Sequence, residues 1–228
     1  MTGWRSLPTP PAAPRPIAAC TKPSPPPARC GSPAPEPARM ESLLSGFVAA
    51  LVAHATDRPP WLAAILADRY RRPLAILAGV LVAQLLVNAI AAIAAIQIRP
   101  LMTPNARSLM LGLALLFAAI GAAWRMQPPS DRLEGWRLGA FGTSAIGLFI
   151  LAFGDRTQFI AFGTGIWGSS PLLAAVGASI GATLASVPAV LLGEHRWRRL
   201  PLDIWRWSAA VILAALGSAA CLSALRII

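Results

Sequence analysis

Two short polar clusters lie inside apolar stretches of this chain, and each contains an aspartate followed by an arginine. The second cluster, Asp155-Arg156-Thr157-Gln158, interrupts an apolar segment over residues 141–166. The first, Asp57-Arg58, lies 98 positions earlier (57 against 155) and is followed by Pro59-Pro60. A helix needs about 20 apolar residues to cross a bilayer, and charges inside such a segment are costly unless they face protein or water. The two clusters therefore form the candidate functional site.

The two aspartates predict a site for one divalent cation. Brought together, Asp57 and Asp155 carry a formal charge that matches one such ion. Hard cations such as Ca²⁺, Mg²⁺ and Mn²⁺ prefer carboxylate, carbonyl and hydroxyl oxygens as ligands. Asp57 and Asp155 are therefore the predicted metal ligands, and Thr157 and Gln158 can add side-chain oxygens. The alternative is a pair of structural Asp–Arg contacts that lock the repeats together.

Three basic or titratable residues accompany the aspartates. Arg58 and Arg156 are predicted charge partners, each able to neutralise a neighbouring carboxylate or to extend towards the cytoplasmic surface. His54 lies about one helical turn before Asp57, so the two side chains face the same way. Its imidazole can bind a metal or carry a proton near neutral pH. A lone histidine is more often a hydrogen-bonded packing residue, and that interpretation stays open.

The chain repeats itself at the same spacing of 98 positions. Pro73 then coincides with Pro171, and Gly79 coincides with Gly177. Interrupted helices in corresponding places of two repeats are typical of the binding site of a transporter. Three spans per repeat is an odd number, so the two repeats have opposite orientations in the membrane. We therefore predict an all-α integral membrane protein with six transmembrane helices, arranged as two inverted three-helix repeats. The six apolar segments are residues 43–67, 73–96, 106–126, 141–166, 171–192 and 204–227.

Composition supports a membrane protein and divides the chain. Of the 228 residues, 56% are hydrophobic and 13% are charged, whereas soluble domains average about 25% charged residues. Residues 1–39 are rich in proline and are predicted to be disordered, unless Met40 is the true start and this tail is an upstream extension. We predict a first three-helix repeat over 40–126, a cytoplasmic linker over 127–137 and a second repeat over 138–228.

Loop charges predict the orientation. Because cytoplasmic loops carry an excess of basic residues, the loops after spans one, three and five should be cytoplasmic, with the N-terminus outside a bacterial inner membrane. The opposite side, counted from Met40, holds three arginines, and the proline-rich tail would add five basic residues to it and weaken the bias. The odd loops hold ten: Arg69, Arg71, Arg72, Arg125, Arg132, Arg137, Arg196, Arg198, Arg199 and Arg206, against Arg99, Arg107 and Arg226.

The chain shows no motif typical of an enzyme. It has no nucleophile elbow, no zinc-binding helix motif and no phosphate-binding loop, and its cysteines, Cys20, Cys30 and Cys221, have no metal-ligand spacing. The charges behind the net charge of +11 fall mostly between the apolar segments, which argues against a nucleic-acid partner. The predicted partners are the lipid bilayer, a divalent cation and protons. No cofactor is predicted, and the oligomeric state stays open.

The second cluster resembles a known family. Gly154-Asp155-Arg156-Thr157-Gln158 is similar to the Glu-x-Gly-Asp-Lys/Arg-Thr/Ser motif of the Gdt-one family of manganese/calcium–proton exchangers. The stretch over residues 186–194 also resembles bacterial members of that family. The resemblance extends from about Met40 to the C-terminus. It implies six spans in two inverted repeats, with a cation bound between the two motifs and exchanged for protons.

Several positions depart from this motif. Ala152 occupies the place of the motif glutamate in the second copy, and His54 occupies that place in the first. In the first copy Thr56 replaces the glycine, and Pro59-Pro60 replaces the Thr-Gln pair. Three interpretations follow: a weakened exchanger, a selectivity variant that uses His54, or a non-transporting relative of the same fold that acts as a partner or regulator.

Overall fold

The computed structural model describes residues 36–54, 57–124, 136 and 138–225, all within one compact unit. The described residues form helices and contain no strand, so the predicted all-α class is confirmed. Most of the proline-rich tail and of the 127–137 linker lies outside the described residues. The helices are α1 (Glu36–His54), α2 (Arg58–Tyr70), α3 (Pro73–Ile98), α4 (Pro104–Ala123), α5 (Gly139–Ala152), α6 (Arg156–Trp167), α7 (Pro171–Trp197) and α8 (Leu202–Ala224), with a 3₁₀ turn at Arg99–Leu101.

Local chemistry determines where the helices begin. Prolines open α3, α4 and α7, where the missing amide hydrogen costs nothing because the first turn lacks intrahelical acceptors. The Thr103 hydroxyl accepts a hydrogen bond from the Ala106 amide and caps α4. The starts of α2, α3 and α4 recur in α6, α7 and α8 at the predicted spacing of 98 positions (58 and 156, 73 and 171, 104 and 202).

Four described helices are long and apolar enough to cross a membrane: α3 with its 3₁₀ turn, α4, α7 and α8. A fifth candidate span is the pair α5 and α6, which is bent by 71° at its break. The membrane-protein prediction is therefore confirmed at the level of four to five candidate spans among the described residues. The predicted first span, residues 43–67, corresponds to α1 and α2 and is not among these candidates, so the count of six stays a prediction.

Small residues allow the helices to pack closely. A side chain at Gly177 or Gly181 of α7 would collide with the Leu43 or Phe47 carbonyl of α1, and Gly112 of α4 lies equally close to Cys221 of α8. Such small-residue contacts are typical of helix packing in membranes, where burial of apolar surface gives no driving force. Large apolar side chains instead point outward, including Leu86, Phe117, Ile150 and Val211.

The packing is reciprocal between the two halves of the chain. Helix α1 packs along α7 of the other half, and its counterpart α5 packs along α3. Helix α3 contacts α7, and α4 contacts α8. The two helix breaks, between α1 and α2 and between α5 and α6, thereby come to lie next to each other in the interior.

Candidate cation site

Each aspartate lies at the start of the second helix of a broken pair. Helix α1 ends at His54 and α2 begins at Arg58, so the first cluster lies at a break between two helices. Helix α5 ends at Ala152, and the turn before α6 passes through Gly154, whose φ of +78° is readily adopted only by glycine. Asp57 caps α2, because its Oδ1 accepts a hydrogen bond of 2.8 Å from the Arg58 amide.

His54, Asp57 and Asp155 converge on one point. Each offers one ligand atom, and these three atoms lie within 4.8 Å of one another. His54 and Asp57 are buried and Asp155 is partly buried. Two carboxylates and an imidazole at this separation are a donor set that a divalent first-row cation accepts. The structure therefore brings together three of the predicted site residues, from α1 and from the starts of α2 and α6.

Arg156 pairs with the aspartate of the other cluster. Its Nε donates to Asp57 Oδ2 at 2.9 Å, and its Nη2 lies 2.8 Å from Asp57 Oδ1. Both side chains are buried, with 7% of Arg156 and none of Asp57 exposed. Of the two predicted charge partners, Arg156 thus neutralises a carboxylate across the repeats, whereas Arg58 is exposed. This contact matches the structural Asp–Arg alternative for one of the two aspartates.

A directional chain of hydrogen bonds orients the histidine. The Thr157 hydroxyl donates to Asp155 Oδ2 at 3.2 Å. Because a hydroxyl has a single hydrogen to give, the contact of 3.2 Å between His54 Nδ1 and Thr157 Oγ1 assigns the hydrogen to Nδ1. The Nε2 atom then accepts from the Gln84 amide nitrogen at 3.4 Å. The predicted residue Thr157 therefore links His54 to Asp155 within the cluster.

Gln158 stabilises the second break. Its Oε1 accepts a hydrogen bond of 2.7 Å from the Gly154 amide, and its Nε2 lies 3.5 Å from the Val87 carbonyl of α3. Both polar atoms of the amide are thus engaged with the backbone around the turn. The structure places Gln158 beside the site as a brace, and its side-chain oxygen is directed to the turn.

Two polar residues of α3 complete the surroundings. Gln84 contacts His54, and Asn88 donates a hydrogen bond of 3.0 Å to Ser179 of α7. Both side chains are fully buried, and their carbonyl oxygens, Gln84 Oε1 and Asn88 Oδ1, have no hydrogen-bond partner within the described part of the chain. The spacing of four residues places both on one face of a helix. This spacing in the sequence predicts hydrogen bonds between helices, such as that of Asn88 to Ser179. The proximity of Gln84 to His54 is seen only in the folded structure.

Comparison with known proteins gives a consistent result. A family model described as "Divalent cation/proton antiporter GDT1" matches this chain twice, over residues 42–130 and 140–227. A protein of Vibrio cholerae serotype O1 named "Putative manganese exporter" is 30% identical over 187 residues, which cover 79% of this chain and 91% of that protein. No solved structure matches. The two matched segments each contain one of the helix breaks.

Proposed function

Because the chain belongs to the divalent cation/proton antiporter GDT1 family, as the two matches over 42–130 and 140–227 show, we propose that it exchanges Mn²⁺ or Ca²⁺ for protons across the membrane. Membership of this family and the similarity to a named manganese exporter support the transport of divalent cations. The proposal adds the counter-ion, the choice of cation and the site.

The observation that carries the proposal is the convergence of His54, Asp57 and Asp155 within 4.8 Å. Carboxylate oxygens and imidazole nitrogens each bind either a proton or a metal ion through the same lone pairs. Occupancy of the site by a cation and by protons is therefore mutually exclusive. Mutual exclusion at one site is the thermodynamic requirement for exchange, because the release of one ion favours the binding of the other.

The proposed architecture is six spans in two inverted three-helix repeats. The pair α1 and α2 would form the first broken span and α5 and α6 the fourth, with both breaks near the middle of the membrane. Support comes from the recurring helix starts, from the reciprocal packing of α1 on α7 and α5 on α3, and from the family model that matches twice. The arginine distribution supports odd loops in the cytoplasm and an external N-terminus in a bacterial inner membrane.

A second candidate function is a non-transporting protein of the same fold. Arg156 binds both carboxylate oxygens of Asp57, so a cation gains that aspartate only when the arginine moves away. Ala152 also leaves the second break without a glutamate at that position. These two features favour a partner or regulator that retains the fold, or an exchanger of reduced activity.

Cation uptake by the full chain in proteoliposomes with an imposed pH gradient separates these possibilities. We expect Mn²⁺ or Ca²⁺ flux that follows the gradient and falls about tenfold or more in Asp155→Asn, because even groups that only orient a metal ligand are worth about 10- to 100-fold. Asp203→Asn is the matched control, since Asp203 is exposed at the start of α8. Flux no greater than in empty liposomes, from folded protein, would support the non-transporting alternative.

A further inference from the structure

The imidazole of His54 distinguishes this cluster from a site made only of oxygen ligands. Its side chain is fully buried, and one of its nitrogens lies within 4.8 Å of carboxylate oxygens from Asp57 and Asp155. Imidazole nitrogen is a good ligand for Zn²⁺, Ni²⁺ and similar ions, whereas Ca²⁺ takes six to eight oxygens. A histidine in place of an oxygen donor therefore shifts the site away from Ca²⁺.

The charge of the cluster also disfavours Ca²⁺. Asp57 and Asp155 supply two negative charges, but Arg156 lies in the same cluster and binds both oxygens of Asp57. The affinity of Ca²⁺ sites depends on the number of charged oxygen ligands, so compensation by an arginine weakens a hard-cation site. Ions that form stronger coordinate bonds to nitrogen lose less affinity from this charge compensation, because part of their binding does not depend on the net charge of the site.

The surroundings of His54 are those of an oriented ligand. Its Nδ1 donates to Thr157, which in turn donates to Asp155. In metal sites the second ring nitrogen of a ligating histidine is almost always held by such a hydrogen bond, which fixes the ring and its tautomer. The other ring nitrogen, Nε2, accepts a long hydrogen bond of 3.4 Å from the Gln84 amide, which a cation at that nitrogen would displace. Gln84 also carries a buried side-chain oxygen, Oε1, without a partner among the described residues.

We propose that this site prefers first-row transition-metal dications, Mn²⁺, Co²⁺ and Zn²⁺ among them, over Ca²⁺, with His54 as the ligand that sets the preference. The proposal rests on the proposed function, since it names the cation class of that same site. Among the transition metals, Mn²⁺ binds more weakly than Co²⁺, Ni²⁺ and Zn²⁺ to any given set of nitrogen and oxygen ligands, so the contrast that tests the role of His54 is with Ca²⁺.

Equilibrium binding to the purified full chain tests the preference without any transport. Dissociation constants for Co²⁺, Zn²⁺, Mn²⁺ and Ca²⁺ would be measured by competition with a coloured chelator. We expect His54→Gln to weaken Co²⁺ and Zn²⁺ binding by about 10- to 100-fold and to leave Ca²⁺ binding nearly unchanged. His54→Glu should strengthen Ca²⁺ binding, because it supplies a charged oxygen.

A spectroscopic measurement keeps the test independent of the folding of these variants. The chain has two histidines, His54 and His195, and His195 is exposed near the end of α7. Pulsed electron paramagnetic resonance of bound Mn²⁺, in a nitrogen-free buffer, should show coupling to an imidazole nitrogen in wild type and in His195→Gln. In the latter variant His54 is the one remaining histidine.

The outcomes of these measurements separate the failure of this inference from that of the proposed function. Ca²⁺ binding as tight as Co²⁺ binding, or an absence of nitrogen coupling in His195→Gln, would overturn the preference and leave cation transport intact. Binding of all four cations that is insensitive to Asp155→Asn would place the ions elsewhere and overturn both. Loss of nitrogen coupling in His54→Gln, with retention in His195→Gln, would support His54 as the ligand.

Discussion

At the first helix break Asp57 is only 1% exposed and both of its carboxylate oxygens bind Arg156, whereas at the second break Asp155 is partly buried and accepts a hydrogen bond from Thr157. The two arginines differ as well, since Arg156 is buried and Arg58 is exposed. Identical Asp-Arg pairs therefore have different partners in the two copies.

The difference follows from the residues after each pair. In the first copy Pro59 and Pro60 occupy the first turn of α2 and offer no amide hydrogen and no polar side chain. In the second copy Thr157 and Gln158 hold a neighbouring histidine, an aspartate and the turn at Gly154. The first break thus contributes two candidate ligands, and the second break contributes one candidate ligand together with the groups that hold the other side chains in place.

The largest expected effect comes from removing the buried arginine. Arg156→Gln leaves the Asp57 carboxylate buried without its partner, which costs about 3–5 kcal/mol of stability. Arg58→Gln, the matched change at the exposed arginine, should alter stability by less than about 0.5 kcal/mol. Thermal unfolding in detergent measures both.

Asp57→Asn combined with Arg156→Gln provides the control for that prediction. The double variant should be more stable than Arg156→Gln alone, because it removes the uncompensated charge. If Arg156→Gln and Arg58→Gln unfold at the same temperature, the buried Asp57–Arg156 ion pair does not contribute more to stability than the exposed Arg58 does.

A second comparison concerns corresponding glycines, Gly79 of α3 and Gly177 of α7. A Cβ at Gly177 would collide with the backbone carbonyl of Leu43, whereas at Gly79 it would first meet the side-chain hydroxyl of Ser144. Gly177→Ala should therefore destabilise more than Gly79→Ala, within the range of about 1–3 kcal/mol for overpacking. Ser144→Ala, added to Gly79→Ala, should restore part of the loss in the same unfolding assay, and no restoration would contradict this assignment.

Thr157→Val tests the hydroxyl that has no counterpart at Pro59. The change keeps the shape and removes the link between His54 and Asp155, so we expect a loss of about 1–2 kcal/mol. Binding of Co²⁺ should weaken about tenfold, since the hydroxyl orients a ligand. Thr157→Ser keeps the hydroxyl and should restore both unfolding temperature and affinity, and equal behaviour of the two variants would exclude this role.

The smallest effect is expected at Gln158, whose counterpart is Pro60. Gln158→Ala removes two hydrogen bonds at the edge of the site, with an expected loss of about 0.5–1.5 kcal/mol. The cation affinity should stay close to that of wild type, because the side chain braces the turn. A loss of affinity as large as that of Asp155→Asn would instead make Gln158 a ligand.

Sequence patterns predict the helices and their breaks well, because they depend on local chemistry. The apolar runs and the opening prolines identify the starts of α3 and α7 to the residue and those of α4, α5 and α8 to within two residues. Proline at position 188 indicates a kink in α7, yet the non-helical residue is Gly193, where φ is +70° and the Asp68 carboxylate accepts a hydrogen bond from the Glu194 amide. That position depends on a contact with α2, 126 positions away.

Partners across the fold are the part that the patterns could not supply. Two identical Asp-Arg pairs give no local reason for Arg156 to turn inward and for Arg58 to stay exposed. The proximity of Gln84 to His54 depends likewise on the packing of α3 against the first break. The family resemblance indicates the region of the site, and the fold identifies which side chains meet there.

The contact between Asp57 and Arg156 also bears on how such a chain can be inherited. After a duplication, two copies are interchangeable only while each satisfies its own charges. Here the first half contains the buried Asp57, and its positively charged partner, Arg156, lies in the second half. A gene cut between the halves would yield an amino-terminal product whose Asp57 lacks Arg156 and a carboxy-terminal product whose Arg156 lacks Asp57. The Asp57–Arg156 ion pair therefore adds to the packing of α1 on α7 and of α5 on α3 as a reason for the two halves to stay in one reading frame or to be coexpressed.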